Sequence, residues 1–160
     1  MTAIIRTARA EDAAGIAPIY NQIIRDTTIT FLPDEKTVDD LVAAIEAADA
    51  YLVAEHGSEI VAFASFGPFR SGAGYARVKE HSICLAQQAR GHGLGAALMK
   101  ALEDAARAQG VRVLVAGISG ENDAAQRFHT RLGYVQVGHL PEIGDKFGRP
   151  LDLVLMQKSL

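Results

Sequence analysis

The chain has 160 residues, of which 49% are hydrophobic and 22% are charged, a composition typical of a globular protein with one substantial core. The net charge of −3 argues against general nucleic-acid binding, which needs a broad basic surface. No apolar run approaches the roughly 20 residues that cross a bilayer, and the single cysteine, Cys84, allows no internal disulfide. We expect one domain over residues 1–160 in the cytoplasm, with no secretion signal and neither a nucleic-acid nor a membrane partner.

The first half of the chain contains two helical patterns followed by three strand patterns. Apolar residues at helical spacing, with Pro18 among them, predict the first helix, and the segment from Thr37 to Asp40 resembles a capping box that begins the second. Alternating apolar residues on both sides of Gly57 predict a β-hairpin. The predicted elements are a strand at 4–5, helices at 13–24 and 37–48, and strands at 51–55, 59–66 and 75–85, with loops at 26–33 and 67–74.

The second half alternates helices and strands. Small and apolar residues from Leu94 to Ala105 follow the spacing of one buried helix face, and Gly110 stands where a glycine commonly ends a helix. The predicted elements are helices at 94–109 and 123–132 and strands at 111–118, 134–137 and 151–157. No repeat or linker divides the chain, so a single mixed α/β domain is the simplest expectation.

Three glycines stand at alternate positions immediately before the third predicted helix: Gly91, Gly93 and Gly95. A helix N-terminus has unpaired N–H groups and a partial positive charge, and glycine lets an anion approach the backbone because it has no Cβ. The flanking Arg90 and His92 can both donate to a phosphate. The pattern favours a pyrophosphate-binding turn, and the alternative is a turn that serves chain geometry alone.

The run from Gly91 to Ala96 also matches the dinucleotide pattern G-x-G-x-x-G/A. That assignment needs an acidic residue at the end of the following strand, but the strand predicted at 111–118 contains none. A P-loop is excluded because no Gly-Lys-Ser/Thr follows the glycines. The phosphates are therefore expected to belong to another kind of ligand.

The segment from Arg90 to Gly95 resembles the acetyl-CoA motif, Arg/Gln-x-x-Gly-x-Gly/Ala, of the GNAT superfamily of acyl-CoA-dependent N-acetyltransferases. The segment from Asn122 to Tyr134 resembles that family's asparagine, helix and Gly-Phe/Tyr pattern. Segments similar to the phosphinothricin and methionine sulfoximine acetyltransferase branch are 19–21, 51–55, 80–82 and 146–152. The resemblance implies an α/β (α+β) GNAT-like fold with a mixed, mostly antiparallel central sheet flanked by helices.

The resemblance also implies the reaction, which is acetyl transfer from acetyl-CoA to the primary amine of a small amino-acid-like substrate. Backbone N–H groups of the strand at 81–85 would hold the pantetheine arm and the thioester oxygen. The implied cofactor-binding residues are Ile83, Cys84, Leu85, Arg90, Gly91, His92, Gly93, Leu94, Gly95, Ala96 and Asn122. The family often forms homodimers, and no metal is expected because the five histidines lack the spacing of metal ligands.

Glu80 matches the general base of the resembled family. An amine with a pKa of about 8 is roughly 10% neutral at pH 7, so its deprotonation costs only about 1.4 kcal/mol. Glu80 would therefore give modest help, directly or through a water molecule. The alternative is a strand carboxylate that pairs with Arg77 or Lys79.

His129 stands where many GNAT enzymes have a tyrosine that is thought to protonate the departing thiolate, and the phosphinothricin branch has histidine there. A free thiol has a pKa of about 8.5, so its thiolate needs little acid assistance. The resemblance implies either an acid or a hydrogen-bonding contact near the CoA sulfur. The alternative is a helix histidine that packs and bonds locally.

The acceptor amine is expected where the loop at 27–31, the loop at 69–70 and Tyr75 meet the strand that carries Glu80. Basic side chains there could pair with the carboxylate of an amino-acid-like acceptor. The candidate substrate-binding residues are Phe31, Phe69, Arg70, Tyr75, Arg77 and Lys146. The open alternatives are a protein N-terminal or polyamine acetyltransferase and a GNAT-fold module that binds acyl-CoA without catalysis.

Overall fold

The computed structural model describes all 160 residues and contains seven strands and four α-helices. The strands are β1 (Ile4–Thr7), β2 (Ala50–His56), β3 (Glu59–Pro68), β4 (Val78–Leu85), β5 (Val113–Ser119), β6 (Val135–Lys146) and β7 (Arg149–Ser159). The helices are α1 (Ala13–Asp26), α2 (Val38–Ala47), α3 (Leu94–Ala108) and α4 (Asp123–Arg131). None of these helices combines the length and the apolar character that crossing a membrane requires.

The seven strands form one sheet in the order β1-β2-β3-β4-β5-β7-β6. Every neighbouring pair is antiparallel except β4 and β5, which run parallel. The parallel pair needs a crossover connection, and α3 provides it. The expected mixed, mostly antiparallel sheet flanked by helices is therefore confirmed.

The helices cover both faces of this sheet. Phe63 of β3 lies opposite Cys84 of β4, so the two side chains share a face, and the Phe63 ring meets Tyr20 of α1 with 5.5 Å between ring centroids. His81, at an odd position of β4, points the other way and contacts His129 of α4. Even residues of β4 therefore face α1, and odd residues face α4.

Local signals in the sequence predicted most of the elements well. Thr37 and Asp40 form the expected capping box, in which each side chain accepts a hydrogen bond from the other residue's backbone N–H. α1 runs through Pro18 without interruption. The turn at Gly57, which has a φ of 64°, joins β2 to β3 as predicted.

Most strand boundaries differ from the prediction by one or two residues, and two differ by more. β4 begins at Val78, because Tyr75 belongs to a short 3₁₀ turn at Ala73–Tyr75. β6 extends to Lys146 although it contains Pro141. The ladder with β7 skips the residues between Leu140 and Gly144, and β6 is an edge strand, so the missing N–H of proline is tolerated there.

Candidate active site

The sheet opens between β4 and β5. Their parallel ladder begins at the pair of Val78 with Val113 and ends at the pair of His81 with Ala116, although the two strands continue to Leu85 and Ser119. A cleft of about 860 Å³ occupies this gap. Its walls come from α1 and the following loop on one face of the sheet, and from α3 and α4 on the other.

Backbone N–H groups of β4 point into the gap. The N–H of Ala86 donates to the carbonyl of Val61 on β3 at 2.9 Å, and N–H directions alternate along a strand that pairs on one side. The N–H groups of Ile83 and Leu85 therefore point away from β3, toward β5. These two residues lie in the cleft wall, in the place that the sequence predicts for contacts with the pantetheine arm.

Cys84 also lines the cleft, but its side chain points to the α1 face. Burial raises the pKa of its thiol to about 12. The thiolate is the nucleophilic form of cysteine, so Cys84 is chemically quiet at neutral pH. It contributes a wall and no reactive group.

The turn before α3 presents six consecutive unpaired N–H groups, those of residues 91–96, none of which donates a hydrogen bond within the chain. Gly91 and Gly93 have φ values of 80° and 76°, a left-handed conformation that is unfavourable for other residues. A Cβ at either position would meet no atom within 4 Å, so the space in front of this backbone is open. An anionic ligand can approach these N–H groups closely.

The other predicted cofactor residues fall into two groups. Arg90 and Asn122 line the cleft, and Asn122 also caps α4 by accepting from the Ala125 N–H at 3.1 Å. Leu94 packs its side chain into the core, so only its N–H is available. His92 is exposed and does not line the cleft.

Gly95 has a different role from Gly91 and Gly93. A Cβ at Gly95 would lie 3.1 Å from the ring of Phe128 on α4, which is tighter than ordinary packing allows. Gly95 therefore lets the start of α3 approach α4. This close approach brings the two helices of the cleft wall together.

Glu80 stands on β4 at the point where the gap opens, and its side chain points to the α1 face. The ion pairs that would make it a structural carboxylate are absent, because Arg77 donates to the carbonyl of Gly110 at 3.0 Å and Lys79 pairs with Asp49 at 2.7 Å. Partial desolvation raises the pKa of the Glu80 carboxyl, although the residue is exposed at the surface. Glu80 lies beside the cleft rather than in its wall, and Gly117 leaves room next to the carboxylate.

His129 lies in the cleft wall with 3% of its surface exposed. Its Nδ1 is 2.8 Å from the carbonyl oxygen of Ala125 and its Nε2 is 3.0 Å from Nε2 of His81. Burial lowers the pKa of both imidazoles, that of His81 to about 3. The sequence gives no signal for this contact, because His81 and His129 belong to elements that only the fold brings together.

The acceptor side of the cleft is formed by α1 and the segment that follows it. Phe31 lines the cleft as predicted and packs directly on Gly144 of β6. Lys146 does not reach the cleft, which corrects the prediction. Its ammonium group is buried and donates to the carbonyls of Thr27 and Thr30 at 2.6 and 2.8 Å, so it holds the loop in place.

Four other predicted substrate residues lie outside the cleft wall. Phe69, Arg70 and Tyr75 belong to the β3–β4 connection, where the Arg70 guanidinium lies 5.4 Å from the centre of the Tyr75 ring. Arg77 lies at the far end of β4, where it bonds to Gly110 beyond the end of α3. The structure thus does not bring these side chains to the cleft.

A second recess of about 390 Å³ lies beside the acceptor loop, and sequence reasoning missed it. Arg149 forms a bidentate ion pair with Glu121, which also accepts from the Thr28 hydroxyl at 3.0 Å. These side chains come from three separate segments, so no local pattern announces them. No group of three or more His, Cys, Asp or Glu side chains is arranged to hold a metal.

A backbone turn that can bind phosphate opens into a gap between two parallel strands. This arrangement fits the class of proteins that bind acyl-CoA, which is the ligand that the sequence motifs imply. The Acetyltransferase (GNAT) family matches residues 16–134. The chain therefore belongs to this family and is an N-acetyltransferase.

Characterised relatives resemble the chain over its whole length. L-amino acid N-acyltransferase MnaT of Escherichia coli (strain K12) is 39% identical, covering 98% of this chain and 93% of that protein. L-methionine sulfoximine/L-methionine sulfone acetyltransferase of Pseudomonas paraeruginosa is 38% identical, covering 100% and 96%. The crystal structure of a phosphinothricin acetyltransferase from Sinorhizobium meliloti in complex with acetyl-CoA is similar with a TM-score of 0.93 and 30% identity, covering 100% and 89%.

Proposed function

We propose that the protein transfers an acetyl group from acetyl-CoA to the primary amine of a small amino-acid-like substrate of the methionine sulfoximine or phosphinothricin type. The observation that carries this proposal is the run of six free N–H groups at residues 91–96, placed where the sheet opens. The names of the relatives support the substrate class, since two of them act on L-amino acids or L-methionine derivatives.

The residues present fit acetyl-CoA. The N–H groups of residues 91–96, together with Arg90, would hold the diphosphate, and Asn122 has an amide N–H₂ left over after capping α4. The N–H groups of Ile83 and Leu85 would meet the polar atoms of the pantetheine arm. Bound acetyl-CoA would supply an activated carbonyl, and the cleft between β4 and β5 is also lined by residues on the α1 face.

The chain's own groups then have separate tasks. A β4 N–H aimed at the thioester oxygen stabilises the negative charge that develops there, and such donors contribute about 2.7–4 kcal/mol each where they have been measured. Glu80 takes the proton of the amine as it attacks, directly or through a water molecule. A raised carboxyl pKa suits this task, because it brings the base closer to the working pH.

The acceptor would enter from the face that carries Phe31 and Glu80. Phe31 gives an apolar wall, and the loop that carries it is held by Lys146. Arg149 lies in the neighbouring recess and could attract the carboxylate of an amino acid, although its own partner is Glu121. The amine would thus approach the gap between β4 and β5 from the α1 face of the sheet.

We also infer a cytoplasmic homodimer. Acetyl-CoA is made and used inside cells, and the edge strand β6 leaves a row of backbone groups unpaired. Three large apolar side chains of β6 are exposed, namely Val135, Val137 and Ile143. Light scattering should give twice the chain mass of 17.1 kDa, and a monomer at micromolar concentration would contradict the dimer.

A binding experiment tests the donor side. The protein is melted with acetyl-CoA, NAD or ATP in parallel, and acetyl-CoA alone should raise the midpoint. At a hundred times the dissociation constant the stabilisation is about 2.7 kcal/mol, or roughly 5–10 °C for a domain of this size. An unchanged midpoint with acetyl-CoA, or an equal shift with NAD, would reject the proposed cofactor.

A thiol-release assay tests the acceptor side. The panel contains methionine sulfoximine, phosphinothricin, the common amino acids, a polyamine and a peptide with a free N-terminus. We expect the highest kcat/KM with one of the first two amines. Turnover of the peptide or the polyamine alone would favour the alternative acetyltransferases, and acetyl-CoA binding without turnover would favour a non-catalytic module.

A further inference from the structure

The pair formed by His81 and His129 has a fixed hydrogen-bonding pattern. The two rings are stacked with 5.2 Å between their centroids, and the two Nε2 atoms are 3.0 Å apart. The other nitrogen of His129 is 2.8 Å from the carbonyl oxygen of Ala125. The other nitrogen of His81 is buried and has no partner.

These contacts determine where the protons are. A carbonyl oxygen only accepts, so Nδ1 of His129 must carry a hydrogen. When both rings are neutral, Nε2 of His129 is then a bare acceptor, and Nε2 of His81 must donate to it. The free Nδ1 of His81 is consequently a lone pair, and His129 has no N–H left to offer the cleft.

The surroundings of the pair oppose a positive charge. Tyr134 packs against both rings at 5.3 and 5.1 Å between centroids, and its hydroxyl donates to Glu103, which Lys158 and Arg107 already neutralise. His139 is the only histidine within the 4.0 Å ion-pair distance of an acid. An imidazolium in the pair would therefore have no counter-ion and one buried N–H without an acceptor.

The other titratable groups of the cleft do not change this arrangement. Glu80 and Cys84 lie on the opposite face of β4, and the guanidinium of Arg90 donates to the carbonyl of Leu85 at 3.4 Å. Neither these groups nor Tyr20 and Arg131, which also line the cleft, form a hydrogen bond with either imidazole. The polar contacts of the two histidines are thus limited to each other and to the Ala125 carbonyl, and the rings of Tyr134 and Phe128 pack against the pair.

We propose that His81 is a positioning residue for acetyl transfer, which holds His129 as the neutral Nδ1–H tautomer and so keeps both of its nitrogens from the departing sulfur. The inference rests on the proposed function. It changes the proton path, because the sulfur leaves as a thiolate when the C–S bond breaks and takes its proton from water, while the proton of the amine goes to Glu80. A thiolate with a conjugate-acid pKa of about 8.5 needs no stronger acid.

Nuclear magnetic resonance tests the tautomers without reference to activity. Two-bond ¹H–¹⁵N spectra of the whole protein should show His129 protonated at Nδ1 and His81 protonated at Nε2, with neither ring doubly protonated down to pH 5.5. The His81→Gln variant, which loses one set of signals, assigns the spectrum. An imidazolium in either ring at pH 6.5, or His129 protonated at Nε2, would overturn the proposal.

A pair of variants tests the positioning role. His81→Gln keeps an N–H that can reach Nε2 of His129, and kcat should stay within about threefold of the parent. His81→Leu removes that donor, leaves a buried nitrogen unsatisfied and should lower kcat by about tenfold, with the KM for acetyl-CoA within about twofold. Only His81→Leu should gain a pH dependence of kcat, because Nε2 of His129 is then free to take a proton. Burial of His129 still lowers its pKa, so this dependence should lie below the ordinary histidine pKa.

The outcomes separate this inference from the proposed function. Equal losses in His81→Gln and His81→Leu, or no loss in either, would contradict the positioning role even while acetyl-CoA binding and turnover persist. Absence of acetyl-CoA binding by the parent protein would instead reject the proposed function. If His81→Leu does not fold, the tautomers of the parent and the rate of His81→Gln still decide the question.

Discussion

The two sides of the cleft are built in different ways. The donor side consists mainly of backbone N–H groups from one short segment, residues 91–96. The acceptor side consists of side chains from distant segments, among them Glu80 on β4 and Phe31 after α1, with Lys146 holding the loop from β6. A binding site made of backbone N–H groups tolerates side-chain substitutions but depends on the backbone φ angles. A binding site made of side chains can change its ligand specificity through single substitutions. The same architecture can therefore keep one donor while the amine varies.

The largest expected effect is on the acceptor side. Glu80→Gln keeps the shape of the side chain but cannot take a proton, so kcat should fall by roughly 10²–10⁴-fold, while the melting shift with acetyl-CoA stays unchanged. Glu59→Gln, an exposed carboxylate at the other end of β3, is the control and should leave kcat unaltered. Full activity of Glu80→Gln would remove this residue from the mechanism.

The kcat of the parent enzyme should also fall in acid. Because partial desolvation raises the pKa of Glu80, the base is lost by protonation at a pH above the ordinary glutamate pKa, and kcat falls as the pH drops through that raised pKa. Glu80→Gln should lose this acidic limb. Persistence of the same limb in the variant would assign it to another group.

The next effect tests the backbone construction of the donor side. Gly93→Ala adds a Cβ where φ is 76°, which costs roughly 1–2 kcal/mol, and displacement of the N–H groups should weaken acetyl-CoA binding about tenfold in calorimetry. Gly110→Ala is a close control, because Gly110 has a φ of 77° and an equally open Cβ position beyond the other end of α3. Equal weakening in both variants would indicate a general loss of stability.

A smaller effect is expected at the loop on the acceptor side. Lys146→Met removes the ammonium group that bonds to Thr27 and Thr30, so the loop that carries Phe31 loosens and the KM for the amine should rise several-fold. Acetyl-CoA binding should not change. Lys100→Met removes an exposed lysine paired with Asp104 and serves as the control. A rise in the KM for acetyl-CoA instead would place Lys146 on the donor side.

The smallest expected effect is a loss of stability in acid, and it arises from His81 on the donor side of the cleft. His81 has a folded-state pKa of about 3 against an ordinary value of 6.5, so between these values the unfolded chain binds a proton that the folded chain does not. Stability therefore falls as the pH drops below 6.5, by less than about 1.4 kcal/mol per pH unit. Urea unfolding at pH 7 and pH 5 should show a smaller loss for His81→Gln than for the parent.

Local features of the chain were predictable from the sequence, and long-range ones were not. The capping box at Thr37 and the glycine turn before α3 depend on a few consecutive residues, and both are found where they were expected. The ion pair of Arg149 with Glu121 and the contact of His81 with His129 depend on which strands become neighbours. No spacing in the sequence contains that information.

The same explanation applies to the predicted substrate-binding residues that do not line the cleft. The sequence does not show that Lys146 already has partners, because the fold brings two carbonyl groups to it from more than 100 positions away. Arg77 lies only three residues from Glu80, but along an extended strand that separation is about 10 Å. Proximity in sequence is therefore a poor guide to membership of this site.

Because the β4–β5 ladder ends early, few hydrogen bonds join the two halves of the sheet. Strands β1 to β4 and strands β5 to β7 form two half-sheets joined by one short row of hydrogen bonds, from Val78 to His81. A molecule that satisfies the amides of Ile83 and Leu85 takes the place of the absent partner strand and ties the halves together. Binding of the donor would then stabilise the junction between the two half-sheets. Amide hydrogen exchange in the C-terminal ends of β4 and β5 would slow when the donor is bound.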